Sequence, residues 1–174
     1  MKYCLYLTTL LFTGLTFANE KAIEKFILDS YKIKSEKLSP ELINKVFTGD
    51  FYKVKVIADL GGGGTSTSER LVQVVSGKVS GLQDTTTNMT MTGLNKCLNK
   101  GFKLNSEADI KTFEKVLDLL YPINTFGKKE KKIINTKGKV TFVRGKFFKK
   151  FKGFVVETDD GGVIKTIKYS LDIK

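Results

Sequence analysis

Histidine and tryptophan are missing from this 174-residue chain, proline and cysteine occur twice each, and arginine stands only at Arg70 and Arg144. Without an imidazole there is no Ser-His-Asp or Cys-His catalysis, no histidine zinc site and no histidine pH switch. So few arginines leave almost none of the planar forks that read base edges, which argues against sequence-specific nucleic-acid recognition. A hydrophobic content of 41% with two prolines excludes a disordered or collagen-like chain. What the chain has in excess is lysine: 30 Lys plus Arg face 18 Asp plus Glu, a formal charge of +12. The length suits one domain able to bury a sizeable core.

The chain opens Met1-Lys2, continues with an uncharged apolar run from Tyr3 through Phe17, and reaches Ala18 before Asn19-Glu20-Lys21. The run falls short of the about 20 residues that span a bilayer, and Thr16 and Ala18 have the small-residue spacing of a signal-peptidase site. The layout predicts residues 1–18 as a cleaved signal peptide and 19–174 as a single exported domain, periplasmic or extracellular. No transmembrane span is expected after cleavage. Cys4 sits too early in the run to become a lipidated first residue. Cys97 is then the sole cysteine, so no internal disulfide can form. It reads as a small buried hydrophobe, with a reactive thiol or an intermolecular bridge as the alternative.

Ile23, Phe26, Ile27 and Tyr31 recur at helical steps and predict an amphipathic helix from Lys21 to about Lys34. Ser39-Pro40-Glu41 opens a second helix carrying Leu42, Ile43, Val46 and Phe47, with Gly49 closing it. Residues 51–60 and 71–75 read as two strands joined by a mobile Gly- and Ser/Thr-rich loop, residues 61–68. Residues 85–92 have no decisive period. Leu94, Cys97 and Leu98 share one face of a short helical stretch ending at Gly101. Ser106-Glu107-Ala108-Asp109 resembles a capping box, and Ile110, Phe113, Val116, Leu117, Leu120 and Tyr121 then repeat until Pro122. After a lysine-rich connection, residues 139–148, 151–158 and 163–173 predict an antiparallel meander. In its last strand Val163, Ile167, Tyr169, Leu171 and Ile173 share one parity.

These elements predict an α+β fold: N-terminal helices and one central amphipathic helix packed on one face of a curved antiparallel β-sheet. The layout is loosely similar to cystatin-like and NTF2-like cones and to small tandem helix-plus-sheet inhibitors, though no family motif stands in these residues.

Residues 61–64 lack the Lys-Ser/Thr of a phosphate loop and lead into a strand, so they read as a hairpin tip. Asp159-Asp160-Gly161-Gly162 lacks the spaced acids and closing Glu of a calcium loop and reads as a turn. Glu107 and Asp109 suit the positive end of a helix, and Glu114 and Asp118 fall on its wet face. No cofactor is implied. The candidate partner-binding residues are Lys128, Lys129, Lys131 and Lys132, with Lys146, Phe147, Lys149, Lys150 and Lys152. Cations interleaved with phenylalanines can meet a phosphate- or carboxylate-rich surface, and the competing reading is a solvated edge strand guarded by lysines. The expectation is a small exported, non-enzymatic binding protein. It would contact an unknown protein or an anionic envelope component through a sheet face and the loop. The alternatives are a cone holding a small molecule or an active site, and an inhibitor or immunity protein.

Overall fold

Strands dominate the chain. The computed structural model describes residues 19–25, 32–81, 89–121 and 130–173. The signal peptide expected at residues 1–18, the helical positions Phe26, Ile27 and Tyr31, and the candidate residues Lys128 and Lys129 lie outside them. The fold is α+β, with helices α1 (residues 19–25), α2 (Pro40–Val46), α3 (Thr92–Cys97) and α4 (Glu107–Leu120). Its antiparallel strands divide between a four-stranded sheet and a five-stranded one instead of forming a single sheet. Backbone contacts group the chain into two compact units, one of residues 1–37 and 49–81, the other of 38–48 and 82–174.

The first unit contains the sheet β1-β2-β3-β4, formed by β1 (Lys32–Lys37), β2 (Asp50–Gly61), β3 (Gly64–Val75) and β4 (Lys78–Gly81). Ile23 of α1 is fully buried in a cluster with Tyr52, Val54, Val56, Val72 and Val74, the alternate side chains of the two long strands. Asn19 donates to the Tyr52 hydroxyl at 3.1 Å, and Lys37 pairs with Asp50 at 3.0 Å. Lys32–Lys34, expected in the first helix, belong to β1, because Lys32 to Lys37 pair with Ile57 to Tyr52. Tertiary pairing overrides the local helical period there. The eight-residue loop expected at 61–68 is also shorter than anticipated. Gly61 pairs with Gly64 around a Gly62-Gly63 turn with φ of +59° and +83°, and Thr65 to Ser68 extend β3 opposite Asp59 to Val56. Two positive φ values in a two-residue connection match the right-handed strand twist and require glycine-like residues.

The second unit contains the sheet β5-β9-β8-β7-β6, formed by β5 (Met89–Thr90), β6 (Lys132–Thr136), β7 (Lys139–Phe147), β8 (Lys150–Thr158) and β9 (Ile164–Ile173). The expected meander is present, extended by β6, which takes part of the lysine-rich connection, and by β5. In α2, Pro40 stands at the first helical position and Ile43 and Val46 are buried. In α4 the capping box forms: Ser106 Oγ accepts from Asp109 N at 3.1 Å, and Asp109 Oδ2 accepts from Ser106 N at 3.0 Å. Its buried stripe of Ile110, Phe113, Val116, Leu117 and Leu120 follows the predicted periodicity, while Tyr121, also expected in the stripe, is the half-buried C-cap. The Phe113 ring lies 6.0 Å from Phe47 and 5.4 Å from Phe142 of β7.

Asn95 of α3 completes the edge of β9. Its side-chain amide donates to Ile167 O at 3.1 Å and its carbonyl accepts from Ile167 N at 2.8 Å, imitating a strand partner. Cys97 is buried, and its Sγ donates to Gly93 O at 3.0 Å. At the β8–β9 turn, Asp159 Oδ1 accepts from the backbone N–H of Gly161 at 3.0 Å and of Val163 at 2.9 Å, as a turn residue should. Bonding to Lys165, then to those backbone groups, holds the Asp159 carboxyl below its ordinary value.

Candidate functional site

The β7–β8 hairpin gathers the second half of the lysine-rich candidates at its tip. Lys146 pairs with Phe151 and Phe147 with Lys150, leaving Phe148 and Lys149 as a two-residue turn, while Lys152 stands opposite Gly145. Cross-strand neighbours lie side by side on one face, so at Lys146 and Phe151 the alternation of Lys and Phe in sequence becomes Lys beside Phe in space. The Lys146 Nζ sits 5.0 Å from the centre of the Phe151 ring, within cation–π range. Lys150 pairs with Asp172 at 2.8 Å with its side chain still 64% exposed. Lys149 is exposed and meets no carboxylate among the described residues. The side chain of Phe147 lies outside the described residues, although its backbone ends β7.

Phe148 was not among the candidates, and it is the most exposed large hydrophobic residue described, at 85%. Its φ is +53°, a left-handed value at the turn position where glycine is usual. The signal available in the sequence was the doubling of Phe147-Phe148 and Lys149-Lys150, which breaks the alternation where the chain must reverse.

The edge-strand alternative changes with this geometry. Both β7 and β8 are interior strands of the sheet. Pairing between β6 and β7 stops at Lys132 opposite Val143, so the last residues of β7 overrun β6 and only the tip is an edge. Lys132 and Lys131 are both exposed at the start of β6, but Lys131 is tied to α4, with Asp118 at 2.7 Å and Glu114 at 3.2 Å. The bond to Asp118 raises the Lys131 pKa above its ordinary value. Lys131 therefore belongs to a charge cluster on α4, separate in character from the solvated lysines of the tip.

That cluster corrects the wet-face assignment of Glu114 and Asp118. A bulge between Val143 and Gly145 leaves Arg144 out of the β7–β8 ladder, and its side chain is only 5% exposed. Its Nη2 donates to the Tyr121 carbonyl at 2.6 Å and lies 2.8 Å from Asp118 Oδ1. The carboxylate contact is a charge pair without aligned hydrogen-bond geometry, since Asp118 Oδ1 accepts no hydrogen bond, and Nε and Nη1 likewise make none. Burial lowers the Arg144 pKa, and Asp118 and Glu114 oppose that shift. Sequence reading missed Arg144 because a bulge re-aims one side chain against the alternation.

In the other unit, every residue from Asp59 to Arg70 is exposed, including Leu60 at 70%, and the Asp59 carboxylate accepts from Gly61 N at 2.9 Å. Among the described residues no three His, Cys, Asp or Glu side chains group closely enough to hold a metal ion, and no helix is long and apolar enough to cross a membrane.

No family model, no curated protein and no solved structure matches this chain.

Proposed function

We propose that the chain is a small exported, non-enzymatic binding protein that contacts an anionic partner of the cell envelope through the tip of its β7–β8 hairpin. The observation that carries this reading is the tip itself: Lys146, Lys149, Lys150 and Lys152 surround a reversal whose apex, Phe148, is 85% exposed. Lys150 meets Asp172 with its side chain still 64% exposed, and exposed Lys149 stands next to it in the turn, so the tip presents ammonium groups to solvent. Such a field concentrates polyanions and weakens as salt shortens the Debye length from about 8 Å to about 3 Å. The reading retains the expectation that helices back one face of a curved antiparallel sheet, which leaves the hairpin end for the partner.

The test is capture from the cell's own envelope extract by the immobilised protein at low and high salt, with the retained molecules identified. Lipid, nucleic acid or cell-wall polymer held at low salt and released at high salt is the expected outcome. Retention indifferent to salt contradicts it.

A second reading, an inhibitor-like grip on a protein, is favoured by the unbroken exposure of residues 59–70 with Leu60 near the turn. One protein retained in stoichiometric amount at high salt, and lost on Leu60→Ser substitution, would support it over the first.

A further inference from the structure

We propose that the anionic partner of the β7–β8 tip is a phospholipid surface, with Phe148 entering the headgroup boundary and the lysines lying on the phosphates. This assignment rests on the anionic-partner reading above and names its substance. The first support is the apex. Turns of this kind accept glycine at the position of φ +53°, and a phenylalanine there takes on a backbone cost while 85% of the residue faces solvent. A large apolar side chain this exposed at the apex of a hairpin is open to an apolar phase that can receive it.

The second support is the arrangement of charge. Lys149 is beside Phe148 in the turn, Lys150 is the next residue, and Lys146 and Lys152 follow along the two strands, so the cations stand behind the apex along the hairpin. A ring in front with ammonium groups behind matches the depth profile of a bilayer, whose acyl boundary lies beneath a layer of phosphates. A nucleic acid would favour guanidinium forks and aromatic faces laid along a strand. The one arginine of β7, Arg144, is instead buried against Asp118. Lysine point charges suit a diffuse negative surface, where each contributes roughly fivefold to partitioning. Among the described residues no helix is long and apolar enough to span, so the contact expected is peripheral and reversible.

The absence of tryptophan supplies a clean probe. In the exported form expected after cleavage, residues 19–174, Phe148→Trp introduces the one tryptophan at the apex. Its emission is expected to shift to the blue with vesicles of equal parts phosphatidylcholine and phosphatidylglycerol, and to stay unchanged with phosphatidylcholine alone. Co-sedimentation of the unlabelled protein with the mixed vesicles is expected to fall roughly tenfold in Phe148→Gly. It should fall roughly 25-fold in Lys149→Gln/Lys150→Gln. Phe148→Gly should have an unchanged or higher urea midpoint, which separates lost contact from lost folding. Unchanged emission while the protein sediments, or sedimentation indifferent to both sets of substitutions, would show that another segment binds the vesicles and would overturn the proposal. No vesicle binding, together with lysine-dependent capture of nucleic acid or cell-wall polymer, would overturn the lipid assignment and leave the anionic-partner reading standing. Loss of lysine dependence in every assay would remove both.

Discussion

Removing Asp118 should damage the fold far more than removing the arginine it faces. The Arg144 side chain is 5% exposed and touches Asp118 at 2.8 Å, while its Nε and Nη1 make no hydrogen bond. Truncating one partner of a buried pair costs about 3–5 kcal/mol because the other charge stays desolvated. Asp118 is itself one-third exposed, which lowers the figure for Asp118→Ala to about 3 kcal/mol. The accompanying loss of its exposed contact with Lys131 adds about 1 kcal/mol at most. Arg144→Met behaves differently: it gives up the 2.6 Å bond to the Tyr121 carbonyl, but it also removes a poorly solvated guanidinium with three N–H groups unbonded. The net effect should be within about 1 kcal/mol of zero. For an m-value of about 2 kcal/mol per molar urea, Asp118→Ala should lower the midpoint by about 1.5 M, and Arg144→Met by less than about 0.5 M. The double variant should be more stable than Asp118→Ala alone. Equal losses in the two single variants, or a double variant no better than Asp118→Ala, would refute the reasoning.

Two further outcomes follow from local geometry. Asn95→Ala should cost about 1–2 kcal/mol in urea unfolding, because Ile167 N–H loses its partner while Ile167 C=O keeps the Met91 N–H at 2.9 Å, and Asn95→Asp, which keeps the acceptor, should fall between wild type and Asn95→Ala; a change below about 0.5 kcal/mol would contradict the strand-mimic role. The Asp159 carboxyl is held below its ordinary value by Lys165 and by backbone N–H groups, so its contribution is present above the usual carboxylate range and lost as pH falls through the lowered pKa. The Tm advantage of wild type over Asp159→Ala should therefore shrink between about pH 5 and pH 2, and an advantage that is constant over that window would contradict it.

Legibility in the sequence followed how local the determining interaction is. The α4 helix was readable to its capping box because Ser106, Asp109 and the apolar stripe lie within a few turns of one another. The meander strands were readable from parity, yet Leu171 is 40% exposed although it shares parity with Ile167 and Tyr169. Ile173 pairs with Phe151 and Ser170 with Gly153, so an irregularity between them resets the alternation. The strand β1 was hidden because Lys32–Lys37 has little apolar pattern of its own and acquires strand form from pairing with β2. The lysine-rich candidates were visible as composition, but composition could not separate Lys131, tied to α4, from Lys149 at an open turn. Phe148 and Arg144 were hidden for one reason: a turn and a bulge each reverse the direction in which a side chain points.

The proposal that the hairpin tip meets an anionic envelope component is tested most directly by co-sedimentation with isolated cell envelopes. Wild type would be compared with a variant carrying Lys146→Gln, Lys149→Gln, Lys150→Gln and Lys152→Gln, at low and at high salt. Wild type sedimenting at low salt and released at high salt, with the variant remaining in the supernatant while keeping a wild-type urea midpoint, is the expected result. A folded variant that sediments as wild type does, or wild-type binding that high salt leaves intact, would contradict it.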